Sequence, residues 1–308
     1  MQQCKLQARL MGSDFELIVT GESVSQMQRL LQAGVDEIRR LERLLTEFDK
    51  GSDTGRINSQ AGVAPVPVDP EVYALAKRCL QLSDLTQGAF DISSGALKAL
   101  YNFKGHSVAL PSTEQLKQAL HSTGYRHIDT SRTNEVFLRR KGARIGFGAI
   151  GKGYAADCVR RLWQREGVTS GVVNASGDLT AWGLRPDGQP WKVGIADPER
   201  PEHILLWLPV DQASVATSGN YEQYFDLDGT RYSHNIDPRT GLPARWIRSV
   251  TIISPSAELS DALATAVTIM GIEVGLDLVE QLPGVHALII DQNNRMHTSQ
   301  HIATHAQA

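Results

Sequence analysis

The chain has 308 residues, of which 41% are hydrophobic and 21% are charged, and this composition excludes an intrinsically disordered protein. Its 31 Lys and Arg residues are balanced by 34 Asp and Glu residues, so the formal net charge of -3 provides no general basic field for nucleic acid. We therefore expect a folded protein with a large core, no nucleic-acid partner and only local sites for anionic ligands.

Cysteine usage and the start of the chain bear on the compartment. Cys4, Cys79 and Cys158 are widely spaced and odd in number, which gives neither a disulfide framework nor metal-binding spacing. The first ten residues lack the charged start and apolar run of a signal peptide, and no stretch approaches the roughly 18 apolar residues of a membrane span. These features predict a cytoplasmic protein with no membrane span.

The first half of the chain shows strand and helix patterns in turn. Alternating apolar residues in DFELIVTG predict a strand, which we expect to pair with the preceding KLQARLMG. Apolar residues at helical spacing from Ser25 to about Phe48 predict a long amphipathic helix. GSDTGRINSQAG is rich in turn residues and predicts a polar loop. Asp69 followed by Pro70 is typical of a helix start, and this helix runs to about Leu85.

The second half continues as mixed α/β. Ser112 and Gln115 form a capping-box pattern for a helix that ends near His121. Further elements follow in chain order: strands near Arg126–Asp129 and Val136–Arg139, a helix over Lys152–Glu166, strands SGVVN, WKVGIA, HILLWLPV and SVTIIS, helices near Leu259–Met270 and Glu273–Leu282, and a strand HALIID. No linker rich in Pro, Gly or Ser separates domains, so we expect one α/β unit.

A glycine-rich segment, RIGFGAIGKGYAAD, lies between a predicted strand and a helix, where backbone N–H groups can approach an anion and Lys152 adds positive charge. It formally satisfies a dinucleotide-binding pattern, but the next strand ends in Asn174 rather than an acidic ribose ligand. It nearly satisfies the Walker pattern, yet Gly153 stands where Ser or Thr would bind magnesium. Both readings are discounted, and phosphate binding and a tight packing turn remain open.

Several separated segments together resemble the ApbE family of FAD:protein FMN transferases. In chain order they are MGSDFEL, LERLLTEFDKGSDTGRIN, GAFDISSGAL, GAIGKGYAAD, VVNASGDL, WKVGIADP, ATSGNYEQYF, YSHNIDPRTGLPA and SDALATAVTIMG. The resemblance covers about residues 10 to 298 and implies a single compact α/β unit, with sheets and helices from both halves around a flavin site. Residues 299–308 are expected to form a flexible tail.

The resemblance implies an enzyme that transfers FMN from FAD to a Thr or Ser hydroxyl of an acceptor flavoprotein, with Mg²⁺ as cofactor and AMP as the leaving group. It implies metal ligands at Asp261, Thr265 and the backbone carbonyl near Ala149. Residues four apart on a helix share one face, so a carboxylate and a hydroxyl at these positions can offer hard oxygen ligands to one Mg²⁺. A helix-start Asp and a surface Thr remain the structural alternative.

The same resemblance assigns the remaining site residues. His234 is the candidate general base or acceptor-orienting group, and Asp237 would orient it or support the flavin site. The predicted flavin and diphosphate contacts are Met11, Ala89, Phe90, Asp91, Gly148, Lys152, Thr217 and Ser218. A core position for Phe90 and a strand-end turn for Thr217 and Ser218 stay open as structural readings.

The chain departs from the family pattern in two loops. Gly146 stands where the family usually has an aspartate, and Asn174-Ala175-Ser176-Gly177 stands where N-x-G-G is common. We expect altered FAD contacts rather than loss of chemistry. Two other functions stay open: an FAD diphosphatase that yields FMN and AMP with water as acceptor, and a non-catalytic flavin-binding protein.

Overall fold

A computed structural model of the chain describes residues 1–101, 103, 110–200, 202–219, 224–227, 230–300, 302 and 305–306. Its helices are α1 (Val24–Leu45), α2 (Asp53–Ser59), α3 (Pro70–Leu85), α4 (Gly95–Lys98), α5 (Thr113–Ser122), α6 (Gly151–Arg165), α7 (Ala257–Met270) and α8 (Ile272–Glu280), with a 3₁₀ turn at Tyr125–His127. Its strands are β1 (Gln2–Leu10), β2 (Ser13–Gly21), β3 (Val66–Pro67), β4 (Ile128–Asp129), β5 (Glu135–Leu138), β6 (Gly171–Ala175), β7 (Asp178–Trp182), β8 (Trp191–Ala196), β9 (Ile204–Val210), β10 (Ala213–Gly219), β11 (Tyr224–Leu227), β12 (Thr230–Ser233), β13 (Ile247–Ser254), β14 (His286–Asp291), β15 (Met296–Thr298) and β16 (His305–Ala306).

An eight-stranded antiparallel sheet lies at the centre, in the order β1-β2-β6-β7-β10-β13-β14-β15. Helices α1, α6 and α7 cover one face, and a smaller sheet of β8, β9 and β16 covers part of the other. Strand β2 shows the consequence of this layering. Phe15, Leu17 and Val19 pack on the helix side, whereas Ile18 packs toward the small sheet. The predicted mixed α/β fold is confirmed.

The capping signals at the predicted helix starts operate as expected. The Asp69 carboxylate accepts a hydrogen bond of 2.8 Å from the Glu71 N–H, and Pro70 follows it as the first residue of α3. Ser112 and Gln115 form both halves of the capping box at the start of α5. The predicted helix boundaries therefore agree with the structure to within a few residues.

The prediction of a polar loop in GSDTGRINSQAG is wrong, because this segment contains α2. Ser52 caps the helix by accepting a 2.9 Å hydrogen bond from the Gly55 N–H, and Ile57 is buried in the core. Gly55 suggested a loop because glycine weakens helices. Glycine is needed at this position because of a close contact, since a Cβ at Gly55 would lie 1.9 Å from the Asp49 carbonyl oxygen.

The strand predicted before the glycine-rich segment is present as β5, and at the start of the segment Arg144 forms an isolated bridge with Ser94. A side chain takes the place of a neighbouring strand. The Asn58 amide donates to the Ile145 carbonyl (2.9 Å) and accepts from the Ile145 N–H (2.8 Å). The segment therefore has satisfied backbone groups without belonging to a sheet.

Helices α6 and α7 touch backbone to backbone at Gly153. A Cβ at this position would lie 2.1 Å from the Ala257 carbonyl oxygen and 2.9 Å from the Cβ of Asp261. The Gly153 N–H donates a 3.1 Å hydrogen bond to Oδ2 of Asp261. Glycine is therefore required here by the space between the helices, not by an unusual backbone angle.

One turn further along α6, Asp157 caps the start of α7. Its buried carboxylate accepts hydrogen bonds from Oγ of Ser256 (2.7 Å), the Ala257 N–H (3.1 Å) and the Glu258 N–H (2.9 Å). A carboxylate at a helix N-terminus satisfies N–H groups that have no partner within the helix. Together with Gly153, this cap fixes where α7 begins relative to α6.

The chain end is described in part. His305–Ala306 pairs with β9, and Ile302 packs beside the small sheet. The other residues of the expected tail from 301 onward lie outside the described residues. Among the described helices, none combines the length and the apolar character needed to cross a membrane.

The Gly153 contact gives a stability prediction. Gly153→Ala places a methyl group against the Ala257 carbonyl and forces α6 and α7 apart, so we expect the free energy of unfolding to fall by about 2 kcal/mol. Urea denaturation measures this change. Gly148→Ala is the matched control because a Cβ there meets no atom within 4 Å, and it should change stability by less than about 0.5 kcal/mol. Unchanged stability of Gly153→Ala would contradict the packing argument.

Candidate functional site

A cleft opens where the glycine-rich segment, the start of α4, the end of β10 and the body of α7 meet. Its volume, including the part that is open to solvent, is about 840 Å³. This value is within the range typical of ligand sites. Most of the predicted site residues line it: Ala89, Phe90, Asp91, Gly148, Ala149, Lys152, Thr217, Ser218, His234, Asp261 and Thr265. The structure thus brings together residues from widely separated segments.

Met11 and Asp237 lie outside the cleft lining. The Met11 methyl group packs near Gly151, where a Cβ would lie 3.5 Å from it. The Asp237 carboxylate accepts hydrogen bonds from the Arg239 N–H (2.9 Å), Nε (2.9 Å) and Nη2 (3.0 Å). Asp237 sits between two lining residues, Ile236 and Pro238. Its side chain therefore shapes the turn that follows His234.

The glycine-rich segment is held by two contacts from the first half of the chain. Asn58 of α2 pairs with the backbone of Ile145, as described above. One residue later, the Gly146 N–H donates to the Ile92 carbonyl oxygen at 2.9 Å. These bonds place Gly146, Gly148 and Ala149 in the cleft wall, just before α6 begins at Gly151. The start of a helix then directs backbone N–H groups toward the cleft.

The Asp91 side chain stabilises the segment in which it lies. Its carboxylate accepts hydrogen bonds from the Ser93 N–H, the Ser93 hydroxyl and the Tyr125 N–H, each at 2.7 Å. Burial raises the pKa of Asp91, while these hydrogen bonds oppose the rise. The neighbouring Phe90 is 1% exposed and belongs to the main core cluster. Both residues therefore anchor this wall of the cleft.

Lys152 forms an ion pair with Asp178, a residue that sequence reasoning missed. Asp178 is buried, and burial raises its pKa against the opposing effect of the Lys152 ammonium. A tight turn delivers it to the cleft, since Ser176 and Gly177 have φ values of 59° and 104° between β6 and β7. The turn residues Ser and Gly followed by an acidic residue were the available sequence signal.

The end of β10 is tied to its neighbours through hydroxyl groups. Nδ2 of Asn235 donates to Oγ of Ser218 at 3.1 Å, which links the residue after His234 to β10. The hydroxyls of Thr217 and Thr251 lie 2.9 Å apart. Thr217 also lines a second cleft of about 980 Å³, and Ser176 lies in the wall of that second cleft. Ser176, the second departure from the family pattern, therefore lines the second cleft and not the first.

The other departure, Gly146, has a carboxylate beside it. A Cβ at Gly146 would lie 2.8 Å from Oε1 of Glu47. Glu47 follows α1, and its Oε2 lies 3.8 Å from Nη2 of Arg144. Lys98, a further cleft residue that sequence reasoning missed, ends the short helix α4. Partial desolvation by the surrounding protein lowers the pKa of Lys98, and the negative charges of Glu47 and Asp261 oppose this effect.

The residues assigned to a metal ion offer a suitable set of donors. Asp261 is buried, and the Gly153 N–H contact fixes its carboxylate at the cleft. Thr265 lies one turn later on α7, and Ala149 faces the same cleft from the glycine-rich segment. A carboxylate, a hydroxyl and a backbone carbonyl are all hard oxygen donors of the kind that Mg²⁺ prefers. The donor chemistry therefore fits the expected metal.

Another acidic group lies elsewhere, where ligand atoms of Glu37, Glu71 and Cys158 are within 4.8 Å of one another. Arg40 forms ion pairs with both glutamates, at 2.8 Å and 2.7 Å. Burial raises the pKa of Cys158 to about 11, so its thiol is neutral. This compensated cluster joins α1, α3 and α6 and is poorly suited to a cation.

The chain is similar to known proteins along most of its length. A sequence profile of the ApbE family matches residues 11–289. The chain belongs to the ApbE family. A Treponema pallidum protein named FAD:protein FMN transferase is 35% identical over 278 residues, which cover 85% of this chain and 77% of that protein. A protein of the same name from Escherichia coli K12 is 29% identical over 283 residues, covering 90% of this chain and 81% of the relative.

Solved structures of ApbE proteins share the whole fold. The crystal structure of a Thermotoga maritima ApbE protein matches with a TM-score of 0.88 and 33% identity, over 97% of both chains. The apo form of a Pseudomonas stutzeri flavinyl transferase ApbE matches with a TM-score of 0.86 and 29% identity, over 97% of this chain and 95% of that one. The prediction of an ApbE-type transferase is confirmed at the level of family and fold.

The hydrogen bonds to Asp91 give a second stability prediction. Asp91→Asn keeps the shape but places an NH₂ group against N–H and O–H donors, so we expect a loss of about 2 kcal/mol in the free energy of unfolding. Thermal and urea unfolding measure it. Asp84→Asn is the control, because Asp84 is an exposed residue of α3. Equal stability of the two variants would show that the Asp91 carboxylate does not anchor the segment.

Proposed function

We propose that this protein is an FAD:protein FMN transferase, which moves FMN from FAD to a Thr or Ser hydroxyl of an acceptor flavoprotein and releases AMP. The observation that carries the proposal is the single cleft that collects Lys152, His234, Asp261 and Thr265 from distant parts of the chain. Diphosphate-binding, proton-accepting and metal-binding groups are the three kinds of group that phosphoryl transfer needs. The names of the family relatives support the same activity.

In the proposed reaction, the acceptor hydroxyl oxygen forms a bond to the phosphorus of the FMN half. The bond from that phosphorus to the oxygen shared with AMP breaks, and AMP leaves with the electron pair. Nε2 or Nδ1 of His234 accepts the proton of the hydroxyl. Lys152 and the N–H groups at the start of α6 bind phosphate oxygens, so most of the rate comes from alignment and charge neutralisation.

Asp261, Thr265 and the Ala149 carbonyl would hold Mg²⁺. When bound, Mg²⁺ would neutralise the charge on the diphosphate and act as a Lewis acid. The Gly153 N–H and the cap from Asp157 hold the Asp261 end of α7 in place for this role. The ion pair with Asp178 holds the Lys152 ammonium beside the same cleft. These contacts mean that the binding groups are ordered before the substrate arrives.

Product analysis tests the proposal. The purified protein is incubated with FAD, with and without Mg²⁺, alone and with a Thr-containing acceptor domain from a flavinylated protein. Released AMP together with an FMN mass gain on the acceptor is the expected result. AMP with free FMN in place of modified acceptor would identify a diphosphatase, and bound but intact FAD would identify a flavin-binding protein without this activity.

Asp261→Asn tests the metal assignment. Removing the charge of the carboxylate should lower Mg²⁺-dependent FMN transfer by about 100-fold or more while the protein remains folded. Acceptor mass and the Mg²⁺ concentration for half-maximal rate are measured together. Asp277→Asn, an exposed change on α8, is the control and should behave as wild type. Full activity of Asp261→Asn at the same Mg²⁺ concentration would remove Asp261 from the metal site.

A further inference from the structure

Lys98 occupies a fixed position in the cleft wall. It is the last residue of α4, and α4 begins against Arg144, the first residue of the glycine-rich segment. A Cβ at Gly95 would lie 3.0 Å from both the Cβ and the carbonyl oxygen of Arg144. Ser94 forms a backbone bridge with Arg144 as well. The packing of α4 on this segment therefore holds Lys98 beside the loop expected to bind phosphate.

The two cleft lysines differ in their partners. Lys152 is paired with Asp178. Within the described part of the chain, no hydrogen bond or ion pair is made by the Lys98 ammonium, although Glu47 and Asp261 are near enough to act on it through their charge. Lys98 is an exposed residue of the cleft lining. Its ammonium can therefore donate hydrogen bonds to oxygen atoms of an anionic ligand in the cleft.

We propose that Lys98 binds a phosphate oxygen of the substrate diphosphate. This inference rests on the proposed function, because that function places a nucleotide diphosphate in the cleft. Lys98 contributes a second positive charge to the cleft, in addition to that of Lys152.

Binding of ADP and adenosine to the whole protein, measured by calorimetry in Mg²⁺ buffer, tests the inference. ADP carries a diphosphate and adenosine carries none. Lys98→Met should weaken ADP binding about tenfold and leave adenosine binding unchanged. Lys98→Arg, which keeps the charge, should stay within about threefold of wild type. Lys117→Met removes an exposed lysine of α5 and is the control.

Two results would overturn the role of Lys98. One is wild-type ADP affinity in Lys98→Met. The other is an equal loss of ADP and adenosine affinity, which indicates a structural effect on the cleft. Lys98→Gln provides a second neutral variant should Lys98→Met unfold, and unfolding curves of every variant are recorded alongside.

FMN transfer by the wild-type protein separates this inference from the proposed function. Should the wild type transfer FMN while Lys98→Met binds ADP normally, the inference fails and the function stands. Should the wild type not transfer FMN while Lys98→Met loses ADP affinity selectively, the diphosphate contact stands and the proposed function fails.

Discussion

The contact between α6 and α7 at Gly153 is the constraint on which the site depends. The glycine-rich segment leads directly into α6, and the candidate metal ligands Asp261 and Thr265 lie on α7. The spacing between these helices therefore sets the spacing between the proposed phosphate and metal positions. A missing side chain at Gly153 allows the close approach, and the Asp157 carboxylate fixes the register by capping α7.

Much of the fold was predictable because its signals are local. Periodic apolar residues and capping residues gave the long helices and the first strand pair. Helix α2 was missed because glycine is typical of loops. The structure shows that Gly55 is needed instead because the Asp49 carbonyl approaches it closely. Asn58 likewise replaces a strand partner for Ile145. Neither contact follows from the periodicity of the sequence, and the one between Asn58 and Ile145 joins segments that are far apart in the chain.

The site divides in the same way. Motif resemblance pointed to most of the residues that line the cleft, but Asp178, Lys98 and Glu47 became visible only through tertiary contacts. Glu47 is instructive because the sequence shows glycine at 146, where the family usually has an aspartate. The structure places a carboxylate from the end of α1 against that glycine. The negative charge that the glycine-rich segment lacks at position 146 is thus supplied by Glu47.

The interleaved sheet has a consequence for synthesis. Strand β2 cannot pair with β6 until β6 has been synthesised. In the same way, α7 cannot cover the exposed side of α6 until α7 has been synthesised. A nascent chain that has left the ribosome only as far as residue 256 lacks α7 and therefore lacks one wall of the cleft. Long-range closure of this kind is slow relative to local helix formation. Substrate-binding capacity therefore appears late in translation, after most of the chain has already emerged.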